Sequence, residues 1–211
     1  MTLRAVQETE GTPSRILDAA ERVFALAGFE GAGMKAIAVE AGVAQALLHY
    51  HFGGKEALYG AVVARRSSAI NAERLAALRA VDLSAPDALE GVMTALLRPA
   101  LGAAGGGAGY ARIFGALAAN TERDAALVAQ HYDPTARVFI DAITQAAGSS
   151  REAAAWGYSL AIGALVAVVG RSGRTERLGG RDTLADEEEV AARLVAFTAA
   201  GVRALCRPSK G

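Results

Sequence analysis

Apolar residues recur along this chain with helical spacing almost throughout. Ile16, Leu17, Ala20, Val23, Phe24 and Ala27 fall at i, i+1, i+4, i+7, i+8 and i+11, which places them on one helical face. Thr12 and Pro13 form a cap and first-turn pair, and Gly28 closes the run with Phe29 placed to pack back on the last turn. Residues 1–12 are polar and unpatterned and are read as a mobile arm. Ile37, Ala38 and Ala41 give a short second helix. Gly42 ends it, because glycine accepts positive φ at no steric cost. Residues 45–52 make a third helix. Leu48 and Phe52 turn inward there, Val43 fills the angle, and Gln45, Ala46, Leu47, His49 and Tyr50 turn outward. Two short helices around a glycine-containing turn make a helix-turn-helix.

Gly53 and Gly54 then break the pattern, and Lys55 opens a helix reaching about Val81, with Leu58, Val62 and Ile70 apolar. Ser84 and Pro86 mark the next start. Leu89, Val92, Met93, Leu96 and Leu97 give its buried face, and Pro99 kinks or ends it. Residues 102–109 hold five glycines and three alanines and are read as a flexible loop. Helices follow over 110–119, with Ile113, Phe114 and Leu117 apolar, and over 122–147. Within the latter, Asp133-Pro134 is either a kink or a cap with a first-turn proline. Residues 153–170 form an uncharged run of eighteen, long enough to raise a transmembrane reading. Its Ala, Gly, Ser, Tyr and Val content favours a central helix of a soluble bundle or dimer. Gly157, Ala161, Gly163, Ala164 and Ala167 would let another helix approach closely. A polar link over 171–183 leads to a last helix. Asp186 and Glu187 to Glu189 suit its positive end, and Arg203 and Arg207 its negative end. Val190, Leu194, Phe197, Gly201 and Leu205 form its stripe. The expected fold is all-α, with a three-helix domain over 13–54, a connecting helix over 55–81 and a larger helical domain over 82–211.

Composition narrows the function. Apolar residues make up 52% of the 211, which excludes disorder. Lysine plus arginine and aspartate plus glutamate each number 22, so overall charge does not announce nucleic acid. Within the first 66 residues seven cations face seven carboxylates, so any DNA affinity must come from local placement. The single cysteine, Cys206, excludes an internal disulfide and a cysteine-rich metal site. The N-terminus has no apolar signal core, which points to the cytoplasm. There is no Ser-His-Asp grouping, HExxH or phosphate loop. Of the three histidines, His49 and His51 lie in the helix-turn-helix and His131 stands alone, as a surface or packing residue commonly does. No catalytic, metal or cofactor site is expected, and the chain does not read as an enzyme.

The run Arg15-Ile16-Leu17-Asp18-Ala19-Ala20, then Phe24, Gly28-Phe29, Ile37-Ala38, Ala41-Gly42-Val43, Leu48, His51-Phe52 and Lys55-Glu56-Ala57-Leu58-Tyr59 resembles the tetracycline-repressor (TetR) family of bacterial transcriptional regulators. The match covers about residues 13–66. Beyond it the likeness is architectural, although His131-Tyr132-Asp133-Pro134 with Trp156 and Gly163 is similar to one subgroup of the family's second domain. The resemblance implies a homodimer, a palindromic double-stranded operator and a small-molecule pocket in the second domain. It also implies a repressor released by a small, largely hydrophobic effector. The alternative is a sensor or activator of the same fold.

On this reading Gln45, Ala46, Leu47, His49 and Tyr50 face the major groove. Gln45 would bond a base edge or phosphate, and Leu47 would press on a thymine methyl. Lys35, His49, Tyr50, His51 and Lys55 are candidates for sugar and phosphate contacts. Packing remains open for Tyr50, and bracing the helix end for His51. Two hydroxyl residues usual in the family are replaced by Gly33 and Ala44, and the usual recognition-helix tyrosine by His49. Each missing cap costs about 1 kcal/mol and a phosphate bond, so weak non-specific DNA affinity is expected. Leu97, Tyr110, Phe114, Leu117, Phe139, Ile143 and Trp156, with Tyr132 and Tyr158, would line an apolar pocket or simply fill a core. Arg112, Asn120, Arg137, Asp141 and Gln145 are the candidate polar anchors. Dimer contacts fall to the helices near 152–171 and 187–206. Two recognition helices about 34–36 Å apart would enter successive major-groove turns.

Overall fold

The computed structural model describes residues 3–119, 122–169 and 173–206. Among them the chain is all-helical, with no strand. It divides into two compact units, Met1–Arg66 and Ser67–Gly211.

The first unit holds α1 (Leu3–Gly31), α2 (Met34–Ala41), α3 (Gln45–Phe52) and the first half of α4 (Lys55–Arg79). Ile16, Ala20, Phe24, Ile37, Leu48, Leu58 and Val62 are buried together, as the helical spacing requires. Tyr59 of α4 meets Phe24 and Phe29 edge-on, at 5.0 and 5.1 Å between ring centroids. That packing places the start of α4 in this unit and not in a separate connector. Ala27 is exposed and Phe52 only half-buried, at the margins of the expected faces. The helix expected at Thr12-Pro13 instead starts at Leu3 and runs through Pro13. An interior proline removes one hydrogen bond, and the preceding Leu, Arg, Ala, Gln and Glu are good helix formers. Residues 1 and 2 lie outside the described residues.

The second unit contains the rest of α4, then α5 (Ala88–Leu101), α6 (Gly107–Ala118), α7 (Glu122–His131), α8 (Asp133–Ala147), α9 (Arg151–Val169), α10 (Arg174–Leu178) and α11 (Glu187–Cys206). Its core is built where α9 packs on α8 and α11, and α11 on α5. Three expectations change here. Residues 102–109 do not form an open loop: a 3-10 turn over Ala103–Gly105 and the first turn of α6 occupy most of them, because alanine supports helix between the glycines. The helix expected over 122–147 is two helices, separated at Tyr132, with Asp133-Pro134 as the first turn of the second. The polar link over 171–183 contains the short helix α10.

The last helix corrects a fourth expectation. Val190 and Leu194 are buried, together with Ala191, Thr198, Ala199 and Val202, whereas Phe197 is 71% exposed and Leu205 and Gly201 also face out. The stripe read from sequence therefore straddles two faces. The same holds for α9. Ala154, Gly157, Ala161 and Leu165 turn inward, while Trp156, Leu160, Gly163 and Ala167 form an outward row. By length and composition α9 could cross a bilayer. Its inward face is packed, however: a Cβ at Gly157 would stand 2.9 Å from Val202, so only glycine permits the approach of α11.

Candidate DNA interface and effector pocket

The turn of the helix-turn-helix is held from both sides. Gly42 adopts φ 64, ψ 40, and its N–H and that of Val43 close back on the carbonyls of Val39 and Ala38. The Arg15 guanidinium on α1 donates to the carbonyl of Ala41 at 2.8 Å. Arg22 pairs with Glu40 at 2.7 Å, tying α1 to α2. Buried Glu21 accepts from Arg65 at 3.0 Å and Arg66 at 2.7 Å, and Asp18 pairs with Arg65 at 2.7 Å, tying α1 to α4. Most of the unit's arginines are therefore structural. Among the described side chains of this unit, Lys35 is the exposed cation that no such bond engages.

This frame presents α3. Leu48 is fully buried beneath it, and Gln45, Ala46, Leu47, His49 and Tyr50 are exposed, Tyr50 by 80%. The structure thus brings these five onto one solvent face and removes core packing as an account of Tyr50. His51 is half-buried and sits edge-on to Tyr50 at 5.1 Å. Two predicted contacts are already engaged. His49 Nδ1 bonds the Gly53 carbonyl at 2.7 Å, capping its own helix. Lys55 Nζ donates to the Glu30 carbonyl at 3.2 Å and lies 4.6 Å over the Phe29 ring. Neither Gly33 nor Ala44 offers a side-chain cap to the helix it precedes.

The second unit encloses a small cavity of about 10 Å³, lined by Ile70, Arg74, Ala100, Tyr110, Phe114 and Val169 among others. Of the seven pocket residues expected from sequence, Tyr110 and Phe114 line it. Leu97, Leu117, Phe139 and Ile143 are core residues, and Trp156 is 61% exposed on the outward row of α9. The expected anchors Arg112, Arg137, Asp141 and Gln145 point to solvent, and Asn120 lies outside the described residues. A wider groove of about 620 Å³ is open to solvent and edged by Glu73, Asp87, Glu90 and Arg98.

The charged residue at the cavity is Arg74, 1% exposed. Its Nε donates to the Leu96 carbonyl at 2.8 Å. Burial pulls its pKa down, opposed by the phenols of Tyr158, Tyr132 and Tyr110. Tyr110 and Tyr132 share a hydroxyl hydrogen bond of 2.7 Å. Burial raises the Tyr132 phenol, with that bond opposing, and raises Tyr158 as well, so both stay protonated donors. Asn71, one turn before Arg74, donates to the His131 carbonyl at 2.8 Å and so fixes the break that positions Tyr132. Sequence reasoning missed Arg74 because cations are assigned to solvent. The available signal was register: Arg74 follows Val63, Ser67 and Ile70 by eleven, seven and four residues, on the buried face of α4.

Comparison with known proteins covers both units. A family model described as "Bacterial regulatory proteins, tetR family" matches residues 16–62, and one described as "Tetracyclin repressor-like, C-terminal domain" matches 91–201. The HTH-type transcriptional regulator UidR of Escherichia coli K12 is 41% identical over 56 residues, 26% of this chain and 29% of that protein. SrpR of Pseudomonas putida is 39% identical over 66 residues, 31% of each chain. These curated relatives are thus matched over less than a third of their length. A TetR-like transcriptional regulator from Rhodococcus sp. RHA1 superposes with a TM-score of 0.65 at 21% identity, over 90% of this chain and 94% of that one, which shows the fold.

Proposed function

Since the chain belongs to the TetR family of DNA-binding transcriptional regulators, we propose that it is a homodimeric repressor that leaves its operator when a small molecule enters the second unit. The observation that carries this reading is the solvent face of α3, where Gln45, Leu47 and Tyr50 stand clear over the buried anchor Leu48. A face exposed to solvent, on a helix whose preceding turn is held by Arg15, is suited to major-groove contact. Lys35 adds a cation beside the start of α2.

The dimer is supported by the outward row of α9 and its counterpart on α11. Trp156, Leu160, Phe197 and Leu205 expose a large apolar patch on two adjacent helices, which a second copy of the same pair would cover as a four-helix contact. Effector action requires only that the ligand bind the DNA-incompatible geometry better. The site of action would be the cytoplasm, where the operator is accessible.

Footprinting the full chain on DNA flanking its own gene tests the proposal. Two protected half-sites about one helical turn apart are expected. A single half-site, or no protection at low salt, would contradict it.

A further inference from the structure

Arg74 is a buried cation whose charge the fold leaves open. Arginine does not lose its proton in a protein, so burial leaves a full charge out of water. Among the described residues its bonded partner is a carbonyl, that of Leu96, and not a carboxylate. Its Nη2 is buried with no acceptor at all. Arg74 is among the residues lining the cavity, with Tyr110 beside it and Ile70, Ala100, Phe114 and Val169 as apolar walls.

A group arranged only to staple α4 to α5 would need just the Nε bond. The unbonded, buried Nη2, on a residue that lines a cavity, costs stability without adding to that staple. An anion placed there would restore the missing bond and offset the desolvated charge, with the Tyr110 hydroxyl as a further hydrogen-bonding group. One guanidinium suits a monoanion better than a dianion, and the remaining walls suit hydrocarbon. As it stands the cavity holds roughly one water, so a ligand must displace a wall. Gly105 forms part of one wall, in the segment 102–109 that carries five glycines.

We propose that the second unit binds a small apolar organic acid, with its carboxylate on Arg74 and its hydrocarbon between Ile70, Phe114 and Val169. That this acid is also the effector rests on the regulator reading above. The acid site itself does not.

The test is calorimetric titration of the full chain, refolded to remove any retained ligand. The probes are straight-chain carboxylates of four to ten carbons and benzoate, each against the alcohol of equal size. At least one acid is expected to bind about tenfold or more tightly than its alcohol. Arg74→Met should abolish that preference, and Tyr110→Phe, which keeps the ring of the phenol lining the cavity, should weaken it several-fold. Alcohols binding as tightly as acids, no probe binding, or an intact acid preference in Arg74→Met would overturn the proposal. Should Arg74→Met fail to fold, an unchanged preference in Tyr110→Phe overturns it instead. Operator release is read separately. Release by a neutral apolar molecule alone would overturn the acid as effector and keep the regulator. Acid binding with no effect on any DNA complex would keep the acid site and overturn its role as effector.

Discussion

Glu21 of the first unit and Arg74 of the second are both buried charges, and the fold treats these two in opposite ways. Glu21 in the first unit lies between Arg65 and Arg66, its charge answered inside the fold. Arg74 in the second is buried more completely, bonds a carbonyl, lines a cavity and keeps a buried Nη2 unbonded. The difference separates scaffold from receptor. Around Glu21, polar groups are spent on fixing α1, α2 and α4, so that α3 is held out in one geometry. Around Arg74 a polar group is held ready, and the fold carries the cost until something binds.

Opposite signs of mutational effect follow, and they are the largest expected. Glu21→Ala should destabilise by about 1–3 kcal/mol, since two arginines are left facing each other and both are partly solvated. Arg74→Met should be neutral or stabilising by about 1–4 kcal/mol, because an apolar chain of similar volume replaces an unanswered charge. Urea denaturation of both variants decides this. Strong destabilisation by Arg74→Met would make Arg74 scaffold as well and erase the contrast.

A smaller effect sharpens the first half of the comparison. Ala44 precedes α3 without a side-chain cap, so Ala44→Ser should stabilise by about 1 kcal/mol. The same hydroxyl should tighten binding to random-sequence DNA, read from salt-titrated anisotropy. No gain in either would mean that the start of α3 is already satisfied.

The smallest effect lies on the surface of the second unit. Arg203 bonds Glu90, tying α11 to α5, and holds the Glu90 carboxyl below the usual glutamate value. A depressed carboxylate contributes stability above its unfolded pKa and loses it as pH falls through the lowered folded value. Both groups are more than a third exposed, so Glu90→Gln should cost less than about 1 kcal/mol at neutral pH and nothing in strong acid. Denaturation at both pH values measures it.

Legibility in sequence follows the same division. The boundaries of the helix-turn-helix were readable, because Gly42 and Gly53 set them, and the 3.6 period turned Leu48 inward and Gln45, Ala46, Leu47, His49 and Tyr50 outward, with Phe52 falling at the margin. What was missed there depends on bonds that spacing does not encode. His49 turns back to the Gly53 carbonyl, and Lys55 is held over Phe29. In the second unit the period was ambiguous, since α9 and α11 are apolar on two sides and a single stripe cannot represent both. Trp156 was accordingly placed in a pocket and is found outside. Arg74 went unread for a plainer reason: a cation in an apolar register contradicts the rule on which the reading rests, and such contradictions mark functional positions.

The central claim is that α3 reads DNA with the residues it exposes. The direct measurement is fluorescence anisotropy of the full chain on promoter DNA, comparing wild type with the Gln45→Ala/Tyr50→Ala double variant. Both residues are exposed, so the fold should be retained. Affinity for the specific site should fall about tenfold or more, while binding to random DNA changes little. Equal affinity of the two proteins for the promoter site would contradict the account.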